Sequence, residues 1–115
     1  MEKINFIIKA LSLSEKARRE GLLALEDETN EHVEEVNNRD IFWYGLRFVI
    51  DGTDSKDVKK ILKPLINSEL DEIKKEAVLS IQKGNNPRMT LHILGSLLNK
   101  KEWQDLRANF LHLLD

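Results

Sequence analysis

The sequence predicts an all-α fold, a small bundle of five or six helices forming a single domain over residues 1–115. Three observations predict it. Only two Pro and five Gly occur in 115 residues, so few positions interrupt a helix. Long stretches consist of Leu, Ile, Lys and Glu, residues that lose little side-chain freedom in a helix. Apolar residues also recur at offsets of three and four, the period of one helical face. The length suits one hydrophobic core and leaves no room for a second.

The first element runs from Ile4 to about Glu28. Its stripe is Ile4, Ile7, Ile8, Leu11, Ala17, Gly21 and Leu25, with Leu22 beside it, and no Pro or turn dipeptide intervenes. This predicts one long amphipathic helix, with Ser14 as the position where a break near Leu13 would restart the chain. Residues 29–38 are acidic and nearly core-free apart from Val33 and Val36. Asn37-Asn38 reads as a turn, so the stretch is predicted as a connector with one helical turn.

Asp40 then caps a helix over residues 41–50, Ile-Phe-Trp-Tyr-Gly-Leu-Arg-Phe-Val-Ile, closed by Asp51-Gly52. Its apolar residues occupy every side, so other elements or a partner chain must surround it. A strand competes, because aromatic and β-branched residues crowd here, but no matching second strand follows. Thr53 or Asp54 caps a third helix carrying Val58, Ile61, Leu62 and Leu65, which Pro64 kinks or stops. Ser68-Glu69-Leu70-Asp71 resembles a capping box and opens a fourth helix with the stripe Leu70, Ile73, Ala77, Val78 and Ile81, ended by Gly84. Asn86-Pro87 starts a fifth, buried through Leu91, Ile93, Leu94, Leu97 and Leu98. A last helix from about Lys101 carries Trp103, Leu106, Phe110, Leu113 and Leu114.

Composition excludes several classes of function. At 41% hydrophobic and 33% charged the chain is globular and not a disordered tail. Eighteen Lys+Arg against 20 Asp+Glu give a net charge of −2, with no overall pull toward nucleic acid or anionic membrane. The absence of cysteine removes disulfides, thiolate zinc sites and cysteine nucleophiles. Lys9 interrupts the apolar patch near the N-terminus, and the most apolar window, 41–50, contains Arg47 and is far shorter than a bilayer span. A soluble, cytoplasmic protein without direct membrane insertion is the expectation.

No catalytic constellation emerges. His32, His92 and His112 stand at no metal-ligand spacing. Glu34-Glu35 and Asp51/Asp54 are carboxylates adjacent in sequence at turns, where caps and solvated charges are the ordinary roles. Gly52 and Gly84 stand alone, without the Gly-rich run of a phosphate loop. Lys56, Lys59, Lys60 and Lys63 form a basic helical stripe that reads as a solvated face, since no aromatics interleave with it. No enzyme activity, no cofactor, no metal and no nucleic-acid partner are expected.

Residues 17–26, Ala-Arg-Arg-Glu-Gly-Leu-Leu-Ala-Leu-Glu, resemble the signature that follows the second transmembrane helix in motility protein A (MotA). These are the stator subunits of the bacterial flagellar motor, within the MotA/TolQ/ExbB proton-channel family. Residues 45–54, Gly-Leu-Arg-Phe-Val-Ile-Asp-Gly-Thr-Asp, followed by a helix with Ile61-Leu62, resemble that family's second cytoplasmic block, in the same order and at a similar separation. The resemblance is confined to residues 1–70; residues 71–115 carry none that is recognised. It implies that Arg18 and Glu26, with Arg19 and Glu20 between them, form a protein-docking surface whose partner is the rotor switch protein or a stator component. On one helix, residues eight apart differ by about 80° and about 12 Å, so Arg18 and Glu26 would flank one exposed face. This requires the opening helix to be an unbroken rod with its charged side outward. The alternative for these residues is a set of solvated charges laced by i,i+4 pairs such as Glu15 with Arg19. The membrane-spanning helices of stator subunits have no counterpart here.

Two functional expectations follow. The first is a soluble non-enzymatic interaction module related to the stator cytoplasmic domain. The second is a self-associating structural subunit, in which Phe42, Trp43 and Phe48 serve either as core anchors or as contacts of a homo-oligomer.

Overall fold

In a computed structural model, which describes residues 2–110, the described residues form eight α-helices and two short 3-10 turns, with no strand among them. The all-α class holds, and the helices outnumber the predicted five or six. The excess arises between residues 21 and 37. There the expected rod and connector become a 3-10 turn, Leu22–Leu25, and two short helices, α2 (Glu26–Glu31) and α3 (Val33–Asn37).

The opening helix, α1 (Glu2–Glu20), runs through Ser14 without interruption, and Ser14 is itself buried. It ends because Gly21 adopts φ 92°, ψ 162°, a conformation that is essentially open only to glycine. Gly21 is therefore a stop and not a member of the apolar stripe. Beyond it the chain turns back along α1, and Lys16 and Glu28 close the turn with an ion pair at 2.8 Å.

The central helix, α4 (Ile41–Ile50), forms as expected. Asp40 Oδ2 accepts the Trp43 N–H at 3.1 Å as its cap, and Oδ1 meets Lys74 Nζ at 2.6 Å. Ile41, Phe42, Trp43, Gly45, Leu46 and Val49 are buried. Packing on several sides accounts for apolar residues all around: α4 lies against α6 (Glu69–Lys83), is flanked by α3 and by α5 (Ser55–Leu62), and touches α2. Each fully buried side chain such as Phe42 or Leu46 contributes about 1.5–3 kcal/mol through area removed from water. Phe42 sits edge-on to Phe6 of α1, with ring centroids 4.9 Å apart.

Local chemistry sets the remaining boundaries. Asp54 caps α5, and Pro64 falls in the 3-10 turn Lys63–Leu65 that ends it. Ser68 accepts the Asp71 N–H to cap α6, while the Asp71 carboxylate accepts from the N–H of Asn67, so the box is displaced by one residue. Gly84 closes α6 in the left-handed region at φ 77°. Asn86 caps α7 (Pro87–Gly95) and Asn99 caps α8 (Lys100–Arg107), the latter in a reciprocal box with Glu102. Leu97 falls beyond α7 and is exposed, contrary to its expected place on the buried face, whereas Leu91 and Leu94 are fully buried. Phe110 also lies beyond the last helix; His112, Leu113 and Leu114 lie outside the described residues. The core joins α1, α4, α6 and α7, with α1 packed on both α6 and α7.

Candidate docking surface

The two blocks that carry the family resemblance meet in space, because the 3-10 turn and α2 pack against α4. Arg47 of α4 links the second block to α2, just beyond the first. Its guanidinium lies 3.0 Å from Asp51 and donates to Asn30 of α2 at 3.4 Å. The hydrogen bond to Asp51, with the nearby carboxylates of Asp51 and Glu26, raises the Arg47 pKa above its usual value. Of these contributions that of Glu26 is the smallest.

Arg18, Arg19 and Glu20 occupy the final turn of α1 and are exposed. Two arginines at a helix C-terminus complement the negative end of its dipole. Glu26 opens α2, where an acidic side chain suits the positive end, and is half-buried. The four residues do not share one helix. The Gly21 break separates Arg18, Arg19 and Glu20 from Glu26, so the rotation and rise expected along a continuous rod do not apply.

The turn between them exposes a residue that sequence reasoning missed. Leu25 is fully buried, Leu22 is half-buried, and Leu23 is 70% exposed. No signal in the sequence separates Leu23 from Leu22, since adjacent helical residues can both be buried, as Ala77 and Val78 are. An isolated exposed leucine means little by itself. Here it stands in the chain between the exposed Arg18, Arg19 and Glu20 and the half-buried Glu26.

The aromatic candidates have a different place. Phe42 is 1% and Trp43 7% exposed within a single chain, which makes them core anchors. Trp43 is covered by the parallel ring of His32, 3.9 Å between centroids, and Lys9 Nζ stands 5.2 Å from its ring centroid. Phe48 is half-buried and packs edge-on to Tyr44 at 4.9 Å. The shortage of neighbours that suggested a homo-oligomer does not arise at Phe42 or Trp43.

The other polar candidates have local roles. Asp54 is a helix cap, Asp51 pairs with Arg47, and Glu35 lies 3.0 Å from His32. His92 is exposed beside Trp103, 5.8 Å between centroids. Among the described residues, no three His, Asp or Glu side chains come together as a group able to hold a metal ion, and no helix is long and apolar enough to cross a membrane.

No family model and no solved structure matches the chain. Over 71 residues, however, the chain is 38% identical to Motility protein A of Borreliella burgdorferi. The matched stretch is 62% of this chain and 24% of that protein, so the chain spans only about a quarter of the length of this curated relative. The similarity supports a relationship to Motility protein A over part of the chain.

Proposed function

We propose that this chain is a non-enzymatic protein-interaction module of the motility apparatus, related to the cytoplasmic part of Motility protein A. It docks on the rotor switch protein or a stator component through Leu23 and the surrounding charges of Arg18, Arg19, Glu20 and Glu26. The observation that carries this reading is the exposure of Leu23 amid those charges, inside the block with the specific family resemblance. The similarity to a motility protein supports the setting. Leu23 supplies the desolvated anchor, and the opposed charges on either side of Gly21 set register and encounter rate.

Binding of the purified chain to the rotor switch protein and to stator cytoplasmic fragments tests the proposal. Leu23→Asp is expected to weaken binding by about tenfold or more, chiefly through faster dissociation. Arg18→Glu and Glu26→Lys are expected to change the association rate and its salt dependence. Absence of binding to every motor component, or binding indifferent to all three substitutions, overturns the assignment.

A further inference from the structure

Part of the basic stripe, Lys59 of α5 and Lys63 of the turn after it, lines a groove on another part of the molecule. Lys56, Lys59, Lys60 and Lys63 are exposed, and none forms an ion pair among the described residues. On other helices Lys3, Lys16, Lys74 and Lys75 each meet a carboxylate, whereas Lys83 of α6, like the stripe, forms no ion pair among the described residues. Two members of the stripe, Lys59 and Lys63, line a cleft between α5 and α6, with Lys83 of α6 further along it. The cleft consists of three adjoining depressions that all share Lys59 and Leu79. Its floor is aliphatic, made by Ile66, Leu79 and Ile93, all half-buried.

We propose that this groove docks an acidic amphipathic helical segment of a partner protein. Its apolar residues would lie on Ile66, Leu79 and Ile93, and its carboxylates would face Lys59, Lys63 and Lys83. Charge complementarity over an apolar floor favours this occupant. Ammonium groups without an internal partner, one helical turn apart at about 6 Å for Lys59 and Lys63, match acidic residues spaced three or four apart on a helix. The half-buried floor gives such a helix area to remove from water. Glu72, paired with Lys75 at 3.0 Å, and Glu76 also line the cleft, so the partner's carboxylates are confined to the side of Lys59, Lys63 and Lys83. Nucleic acid fits less well, because no aromatic ring lines the groove to offer a stacking surface. This surface is independent of the one bearing Leu23, which lines no part of the groove.

The test titrates the full chain with a labelled synthetic helix bearing Leu at i, i+3 and i+7 and Glu elsewhere. Its counterpart with Lys in place of Glu and an RNA oligonucleotide of matched charge serve as the other probes. The acidic peptide is expected to bind and the basic one not, with affinity falling as salt rises. Lys59→Glu and Lys63→Glu are expected to weaken binding by about tenfold or more, while Lys60→Glu changes it less than about threefold. Lys60 makes the same charge change on the same helix but does not line the groove. These lysines are exposed, so the variants keep the fold, which helical circular dichroism checks. Four results overturn the proposal: no binding of the acidic peptide, equal losses from Lys59→Glu and Lys60→Glu, tighter binding of the RNA, or a self-associated species dissolved by Lys59→Glu. The last would make the occupant a second copy, through its own acidic residues 26–35.

Discussion

A Cβ on Gly45 would stand 2.9 Å from Cγ2 and 3.1 Å from Cγ1 of Val78, so glycine at this position lets α4 approach α6 at their contact. Leu62 Cδ1 would lie 3.2 Å away on the α5 side. Gly45 lies within the second block of family resemblance, yet its role is one of packing.

Gly45→Ala sets a helix-propensity gain of about 1 kcal/mol against overpacking of about 1–3 kcal/mol. Val78 is β-branched and fully buried, so it yields little and overpacking wins. A net loss of about 1 kcal/mol is expected in urea denaturation. In the double-mutant cycle Val78→Ala should cost less in the Gly45→Ala background than in the parent. An additive cycle would contradict the close approach.

Gly21→Ala tests the stop that ends α1. At φ 92°, ψ 162° a Cβ meets no atom within 4 Å, so the penalty comes from backbone conformation alone, about 1–3 kcal/mol. The denaturation midpoint should fall accordingly. A variant as stable as the parent would restore the continuous rod.

Leu23 and Leu25 should separate binding from stability. Leu25→Ala removes a fully buried side chain and is expected to cost about 2–5 kcal/mol. Leu23→Ala, at a largely exposed position, should stay within about 0.5 kcal/mol of the parent in thermal or chemical unfolding. Reversal of that order would mean the turn faces the other way.

The start of α8 should show a defined acid response. Glu102 accepts the Asn99 N–H at 2.9 Å and faces Lys3 at 3.4 Å, and these contacts hold its carboxyl below the usual value. A carboxylate depressed in the folded state contributes stability above its unfolded pKa, and this is lost as pH falls through the folded value. Glu102→Gln should therefore lie below the parent in stability near neutrality and converge with it in acid. Asn99→Ala removes the other half of the box and should cost about 1 kcal/mol at neutral pH. Stability curves measured across the acid range check both.

Sequence alone determined much of the helical framework. Asp40, Ser68, Gly84 and Asn86-Pro87 act through their nearest backbone neighbours, and both ends of α4 and α6 and the start of α7 fall where that local chemistry put them. The stripe of α6 is equally local, since burial of Ile73, Ala77, Val78 and Ile81 follows from spacing. The candidate docking residues were legible as charges in a resembling block, though not as a surface.

Tertiary structure decided three things that spacing cannot encode. Gly21 reads as a small member of a helical stripe, because side-chain periodicity carries no information on φ; only the folded turn reveals its positive value. Phe42 and Trp43 look too large for one small chain to cover, and it is Phe6 and His32, remote in sequence, that cover them. Lys59 and Lys60 are indistinguishable neighbours in the sequence, and only the placement of α6 makes one a wall of the groove. In each case the deciding atoms come from another part of the chain, or the deciding angle is backbone geometry that residue type alone does not fix.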